Sequence, residues 1–294
     1  MNQFLLAYRH ASCRKIVHLL CVVAVISGAQ CAFADVAVTT NPKCFKVFDA
    51  LLFTNKPDLR QEGLLRAAVP NPDKWQPSAT ALGQTPNDQS IRKGLLAAGA
   101  ADILVLDKEQ WPVHLNEYQT LLTAVRKVGF RGPIGYYAVV PIRDSNRALN
   151  PLDSKPYQAW QSANDLLQPI AEEVDALFPS LYTYSDDEEG WTRYAIAALS
   201  EARRLSGGKP VYAFIWPQYD EQNKALGLKL IPGKFWALQL QTVAQYADGA
   251  VIWGGYRVNW DEQAAWWQAT QQFLQSRPPT CSLPNPPAEF QVGH

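Results

Sequence analysis

Two acids stand two residues apart at the end of an apolar run, "ILVLDKEQWP", from Ile103 to Pro112. Residues two apart on a strand share a face. Asp107 and Glu109 therefore project together, and Lys108 points the other way. Two neighbouring carboxyls resist losing both protons, so one keeps a raised pKa and serves as an acid at neutral pH. Asp-x-Glu alone is a weak motif and describes a solvated strand end equally well.

Other chemistries have little to work with. Of the four histidines only His114 and His294 lie beyond the N-terminal segment. A nucleophile-base triad would rest on His114, where nothing nearby completes it, and a multi-histidine metal site is excluded. No glycine-rich phosphate loop follows the first strand, so no nucleotide cofactor is implied. Neither a metal nor a cofactor is expected.

Aromatic residues collect at the other strand ends. Tyr136 and Tyr137 sit in "GPIGYYAVVP", Tyr182 and Tyr184 end "VDALFPSLYTY", Trp216 and Tyr219 end "KPVYAFIWPQY", and Trp253 closes "ADGAVIWGG". Any one of these could be core packing. Gathered around a carboxylate pair, they read as a sugar-stacking cleft. A second acidic run, Asp186, Asp187, Glu188 and Glu189, could supply a base opposite Glu109. It equally suits a helix N-terminus.

The elements that must position these residues alternate. Strand-like runs at Cys44–Phe53, Ala101–Glu109, Gly132–Pro141, Val174–Tyr184, Lys209–Tyr219 and Ala247–Gly255 are apolar nearly throughout, as strands covered on both faces are. Helical patterns separate them. "LNEYQTLLTAVRKVG" and "GWTRYAIAALSEARRLSGG" end in basic residues and glycine, a C-terminal stop signal. "WALQLQTVAQYADG" and "DEQAAWWQATQQFLQ" complete the series, with Asp261 suited to cap the last and Trp266 and Trp267 suited to pack against the barrel. Strand-helix alternation with short loops implies a parallel α/β fold, here a single distorted (β/α) TIM-type barrel. Six strands are clear. The remainder needed for an eight-fold closure must come from the region Leu64–Gly94 or from loops.

Residues 1–34 read as a secretory signal peptide: Arg9, Arg14 and Lys15 precede the apolar run Ile16–Ser27 and an "AFA" cleavage site. The barrel is expected over residues 35–278, and a proline-rich tail over 279–294. Export, to a periplasm or beyond the cell, leaves Cys44 and Cys281, which suggest one disulfide tying the tail to the first strand. No later segment is apolar enough to span a membrane. The whole chain carries 27 basic and 27 acidic groups. Losing the first 34 residues removes three basic groups and no acids, a balance that offers nothing to nucleic acid. A monomer is expected.

In family order, these segments resemble the hyaluronidase-type glycoside hydrolases (family fifty-six). "ILVLDKEQWP" is similar to their Asp-Trp-Glu-x-Trp-Arg-Pro strand, "IGYYAVV" to their tyrosine-bearing strand, "ALFPSLY" to their Pro-Ser-Ile-Tyr segment, and "GAVIWGG" to their Gly-x-x-x-Trp strand. The resemblance implies a retaining, substrate-assisted glycosidase acting on a polysaccharide that contains N-acetylated hexosamine. Glu109 would donate the proton, and the substrate's own acetamido carbonyl would attack, an exception to the two-carboxylate scheme. Asp107 would orient the acetamido group with Tyr182 in support, and Tyr137 and Trp253 would line the pocket. The pairing of Cys44 with Cys281 also fits. Two departures stand out: Lys108 replaces the family's tryptophan, and its arginine after Trp111 is missing. A non-catalytic carbohydrate-binding barrel or a conventional two-carboxylate glycosidase are the competing expectations.

Overall fold

The computed structural model describes residues 44–75, 85–255 and 258–277. The expected signal peptide, the tail and Cys281 lie outside these residues, whereas Cys44 stands exposed just ahead of the first strand. No described helix is long and apolar enough to cross a membrane.

Six parallel strands form one curved sheet: β1 (Lys46–Leu51), β2 (Leu65–Ala68), β3 (Ile103–Leu106), β4 (Ile134–Tyr136), β5 (Tyr212–Ile215) and β6 (Gly249–Gly254). Their order is β4-β3-β2-β1-β6-β5. The two outer strands are joined through an irregular segment, residues 176–183. It bridges Tyr137 on one side and Val211 and Phe214 on the other, all in parallel. Ala138 N donates to Phe178 O at 3.0 Å, and Phe214 N donates to Pro179 O at 2.8 Å. The ring thus closes with seven members rather than eight, in a distorted (β/α) TIM-type barrel. One member is held by scattered bridges and not by a full ladder, because Pro179 has no N–H to give.

Gly135 makes this closure possible. A Cβ there would lie 2.5 Å from Ala176 O and 2.6 Å from the Phe178 ring. Only a bare Cα lets the irregular segment approach β4 so closely.

Side chains alternate in register with the ring. Phe48, Ala50, Leu65, Ala67, Ile103, Val105, Phe178, Tyr212, Phe214 and Val251 fill the interior as one apolar cluster. Their neighbours Val47, Leu51, Leu104, Leu106, Ala213, Ile215, Ala250 and Ile252 face outward into a second cluster. The helices supply its other half: α1 (Asp88–Ala98), α2 (Leu115–Lys127), α3 (Ser145–Ala148), α4 (Lys155–Asp165), α5 (Gln168–Glu173), α6 (Glu188–Leu205), α7 (Gly233–Tyr246) and α8 (Ala265–Gln275). Trp266 and Trp267 are buried there, as their spacing implied. Helix α8 begins later than expected. Asp261 caps its own turn, accepting from Gln263 N at 2.9 Å, and Ala264 stands at the helix start.

Candidate active site

Strand β3 ends at Leu106, yet the alternation of its side chains runs on. Ile103 and Val105 point into the barrel. Asp107 continues that inward series, half-buried, and Glu109 is exposed beyond it. The two carboxyls share a hydrogen bond. Both stand at the C-terminal strand ends, the face at which (β/α) barrels carry their chemistry.

Burial of Asp107, the charge of Glu109 and the bond between the two raise the Asp107 pKa to about 6, against an opposing pull from Lys74. The free site therefore carries one proton on the pair in mildly acidic solution.

Lys108 points outward, as the spacing required. Its side chain is buried, donates to Gln110 Oε1 at 2.7 Å and lies 3.6 Å from Glu117 and 3.7 Å from Asp73. Its ammonium also sits 5.5 Å from the centre of the Tyr118 ring. Lys108 thus balances acids of the outer layer and makes no ion pair with Asp107 or Glu109.

The aromatic residues divide. Trp253 and Tyr182 stack at 5.8 Å, Trp216 meets Trp253 edge-on at 4.9 Å, and Tyr137 lies 5.7 Å from Tyr182. Tyr137, Tyr182 and Trp216 are buried and form the floor of the mouth, where Trp253 and Tyr184 remain half-open. Tyr137 shares a 3.0 Å hydrogen bond with Ser180 Oγ. Burial is the main cause that pushes its hydroxyl up to about 12 and that of Tyr182 well above its ordinary value, the latter helped by Tyr137, Asp107 and Glu109. Both phenols stay protonated, and they share a hydrogen bond with each other. Tyr219 belongs elsewhere: it packs in the outer cluster and is not brought to the mouth.

The second acidic run is likewise not brought to the pair as a partner. Asp187 accepts from Gly190 N at 2.9 Å to cap α6, Glu188 and Glu189 fill its first turn, and all are exposed. His114 is exposed at the start of α2 and makes no side-chain cap. Among the described residues no group of three or more histidine, cysteine or acidic side chains could hold a metal ion.

Two cations of the mouth carry no signal of period or motif. Lys74, in a short turn at Pro72–Trp75, lies near enough to Asp107 to act on its charge. It also lines a cavity of about 930 Å³ between the ends of β1 and β2 and helix α1, together with Lys56, Arg66, Lys93 and Trp253. Asp49 and Asp58 line it too, Asp49 paired with Lys56, and the remaining excess of cations is not apparent from the net charge of the chain. Arg143, in the loop after β4, lies 5.5 Å from the centre of the Tyr184 ring.

No family model matches the sequence, and no curated protein matches it. Solved structures do. Bee venom hyaluronidase aligns with a TM-score of 0.54 at 15% identity, over 79% of this chain and 96% of that one. The bee venom enzyme in complex with a hyaluronic acid tetramer aligns with a TM-score of 0.51, again at 15% identity, over 79% and 95%. At such identity the likeness is one of fold.

Proposed function

We propose that this protein is an exported glycoside hydrolase that cleaves a polysaccharide containing N-acetylated hexosamine, with retention and with the substrate's acetamido group as nucleophile. One observation carries the reading. The Asp107–Glu109 pair faces inward at the C-terminal end of β3, under a mouth floored by Tyr137, Tyr182, Trp216 and Trp253. Aromatic faces stack on sugar rings, and a proton-sharing carboxyl pair supplies the acid.

The proton starts on Asp107. When the acetamido N–H of a bound sugar becomes Asp107's partner, the proton passes along the shared bond to Glu109. Glu109 then gives it to the glycosidic oxygen as the bond to the anomeric carbon breaks. The acetamido carbonyl oxygen forms the new bond to that carbon, and Asp107, now ionised, stabilises the positive charge on the acetamido nitrogen. Tyr182 donates towards the same acetamido oxygen. Water, deprotonated by Glu109, opens the cyclic intermediate and restores the starting configuration.

The conventional two-carboxylate route is not favoured, because Asp187 caps α6 and Glu188 and Glu189 fill its first turn. Retained sugar binding without turnover predicts a different response to Glu109→Gln. In a hydrolase this variant keeps affinity for an N-acetylated polysaccharide and loses the release of new reducing ends by 100-fold or more, roughly the worth of general acid catalysis. Undiminished release would overturn the mechanism. Cleavage of the chemically deacetylated polysaccharide as fast as the native one would overturn substrate assistance.

A further inference from the structure

Strand β5 carries its inward series past its own end, as β3 does with its acids. Tyr212, Phe214 and Trp216 point into the barrel at spacing two. Gln218 continues the series and is buried, with 5% exposure. A buried amide beside a floor tryptophan is costly unless its oxygen and its nitrogen both find partners. Both do. Gln218 Oε1 accepts from Trp216 Nε1 at 3.0 Å, and Gln218 Nε2 donates to Leu228 O in the loop that follows β5. The amide has one workable orientation, because turning it over would set N–H against N–H and oxygen against oxygen.

The loop closes without this side chain. Tyr219 N donates to Lys229 O at 3.0 Å, Leu228 N to Tyr219 O at 2.9 Å and Ile231 N to Pro217 O at 2.9 Å. The indole has no such alternative. Trp216 is 7% exposed, and without Gln218 its N–H would be buried and unpaired, a costly state for a donor. The same ring lies 5.3 Å from Tyr182 and meets Trp253 edge-on at 4.9 Å and 79°. Tyr182 and Trp253 are the two rings that stack on each other. One hydrogen bond therefore sets the plane of a ring that backs both members of the stack. An apolar side chain of the same length would fill the space equally well and leave that plane unset.

We infer that Gln218 is a positioning residue of the sugar floor: through the Trp216 N–H it holds the indole in the plane that supports Tyr182 and Trp253, and so governs how firmly a sugar is seated on them. The inference rests on the proposed glycosidase reading and adds to it a side chain that acts on the substrate only through another. It also makes Trp216 a face and not a donor towards the sugar, since its N–H is committed to Gln218.

Two changes break the bond from opposite sides. Gln218→Met keeps the length and bulk of the side chain and removes its hydrogen bonds. Replacing Trp216 with benzothienylalanine keeps the bicyclic ring and puts sulfur where the indole N–H was. Affinity for oligosaccharides of hyaluronan and of N-acetylglucosamine is read by calorimetry in a Glu109→Gln background, where turnover cannot interfere. Cleavage is read as new reducing ends with Glu109 in place, and urea unfolding of each variant is followed in parallel. Each single change is expected to weaken binding about 3- to 10-fold, the usual net worth of one hydrogen bond. It should lower kcat/KM by at least that factor, because Tyr182 leans on the same indole. The two changes together should weaken binding no more than about 2-fold beyond either alone, since they break one bond.

A residue that only holds the fold together would lower stability in urea and leave affinity and kcat/KM of the folded protein alone. That result in both single variants would overturn the inference, as would losses that multiply in the double variant. The hydrolase reading then stands if the chains are cleaved. Should Gln218→Met not fold, the benzothienylalanine variant alone decides, by the same loss or its absence. Non-additive loss of binding in a protein that cleaves no chain would keep the role of Gln218 in the floor and remove the hydrolase reading. A parent protein that binds no probe would sink both.

Discussion

Removal of the Asp107 charge is expected to stabilise the protein at neutral pH and to leave it unchanged in acid. The folded pKa of Asp107 is about 6 against 3.8 for an unperturbed carboxyl, and burial is the largest cause. Each unit of difference corresponds to about 1.4 kcal/mol, so the full linkage would be roughly 3 kcal/mol. The carboxyl is partly open to solvent, and screening reduces this to about 1–2 kcal/mol. The sign follows from the direction of the shift. A raised folded pKa contributes stability that is fully present below the unfolded value near 4 and is lost as pH rises through about 6. Asp107→Asn, which never ionises, escapes that loss. At pH 7.5 it should gain about 1–2 kcal/mol in urea unfolding followed by tryptophan fluorescence, or about 3–6 °C in midpoint for a chain of this size. At pH 4 the two proteins should unfold together. Asp107→Asn no more stable than the parent at pH 7.5, with the parent's pH slope intact, would show that burial and Glu109 do not hold the proton on Asp107.

Two other substitutions test the frame around the pair. Lys108→Ala leaves Asp73 and Glu117 without their buried cation and opens space against Tyr118. It should cost about 2–4 kcal/mol in the same urea assay yet change kcat/KM on the cleaved glycan by less than about 2-fold, and a large loss of kcat/KM at full stability would place Lys108 in the site after all. Gly135→Ala forces a methyl group against Ala176 O and the Phe178 ring, so about 1–3 kcal/mol of overpacking is expected. The near-ultraviolet circular dichroism of the mouth aromatics should change with it, and wild-type stability would mean that the segment 176–183 can stand off from β4.

Legibility followed periodicity. The inward series Ile103, Val105, Asp107 is written in the sequence at spacing two, which is enough to put the two acids on one face. The same rule explains the misplacement of Tyr219. It lies three residues from Trp216, an odd step that turns a side chain to the opposite face, and it packs in the outer cluster. Strand β2 was hidden because "LRAA" is short and carries the exposed Arg66, a pattern no strand signal singles out. The closing segment 176–183 was visible as an apolar run. Its irregularity came from Pro179 and from contacts with Gly135, which lie 44 residues apart in sequence. Arg143 and Lys74 sit in loops, where neither period nor motif marks a side chain as facing the mouth. Only the folded ring brings their loops beside β3.

The parity of β3 also decides how the departures from the hyaluronidase-type motif weigh. Lys108 occupies an outward position, in contact with Tyr118, Gln110, Asp73 and Glu117. A tryptophan or a lysine there is a question of how the layer between β3 and α2 is packed and neutralised. The inward residues on either side, Asp107 and Glu109, stand apart from that outer layer. Lys74 and Arg143 now flank the mouth from the loops after β2 and β4. Under the proposed glycosidase reading these loop cations are therefore expected to bear on the pattern of substrates more than on the acid chemistry, and comparison of kcat/KM across acidic and neutral N-acetylated chains measures that difference directly.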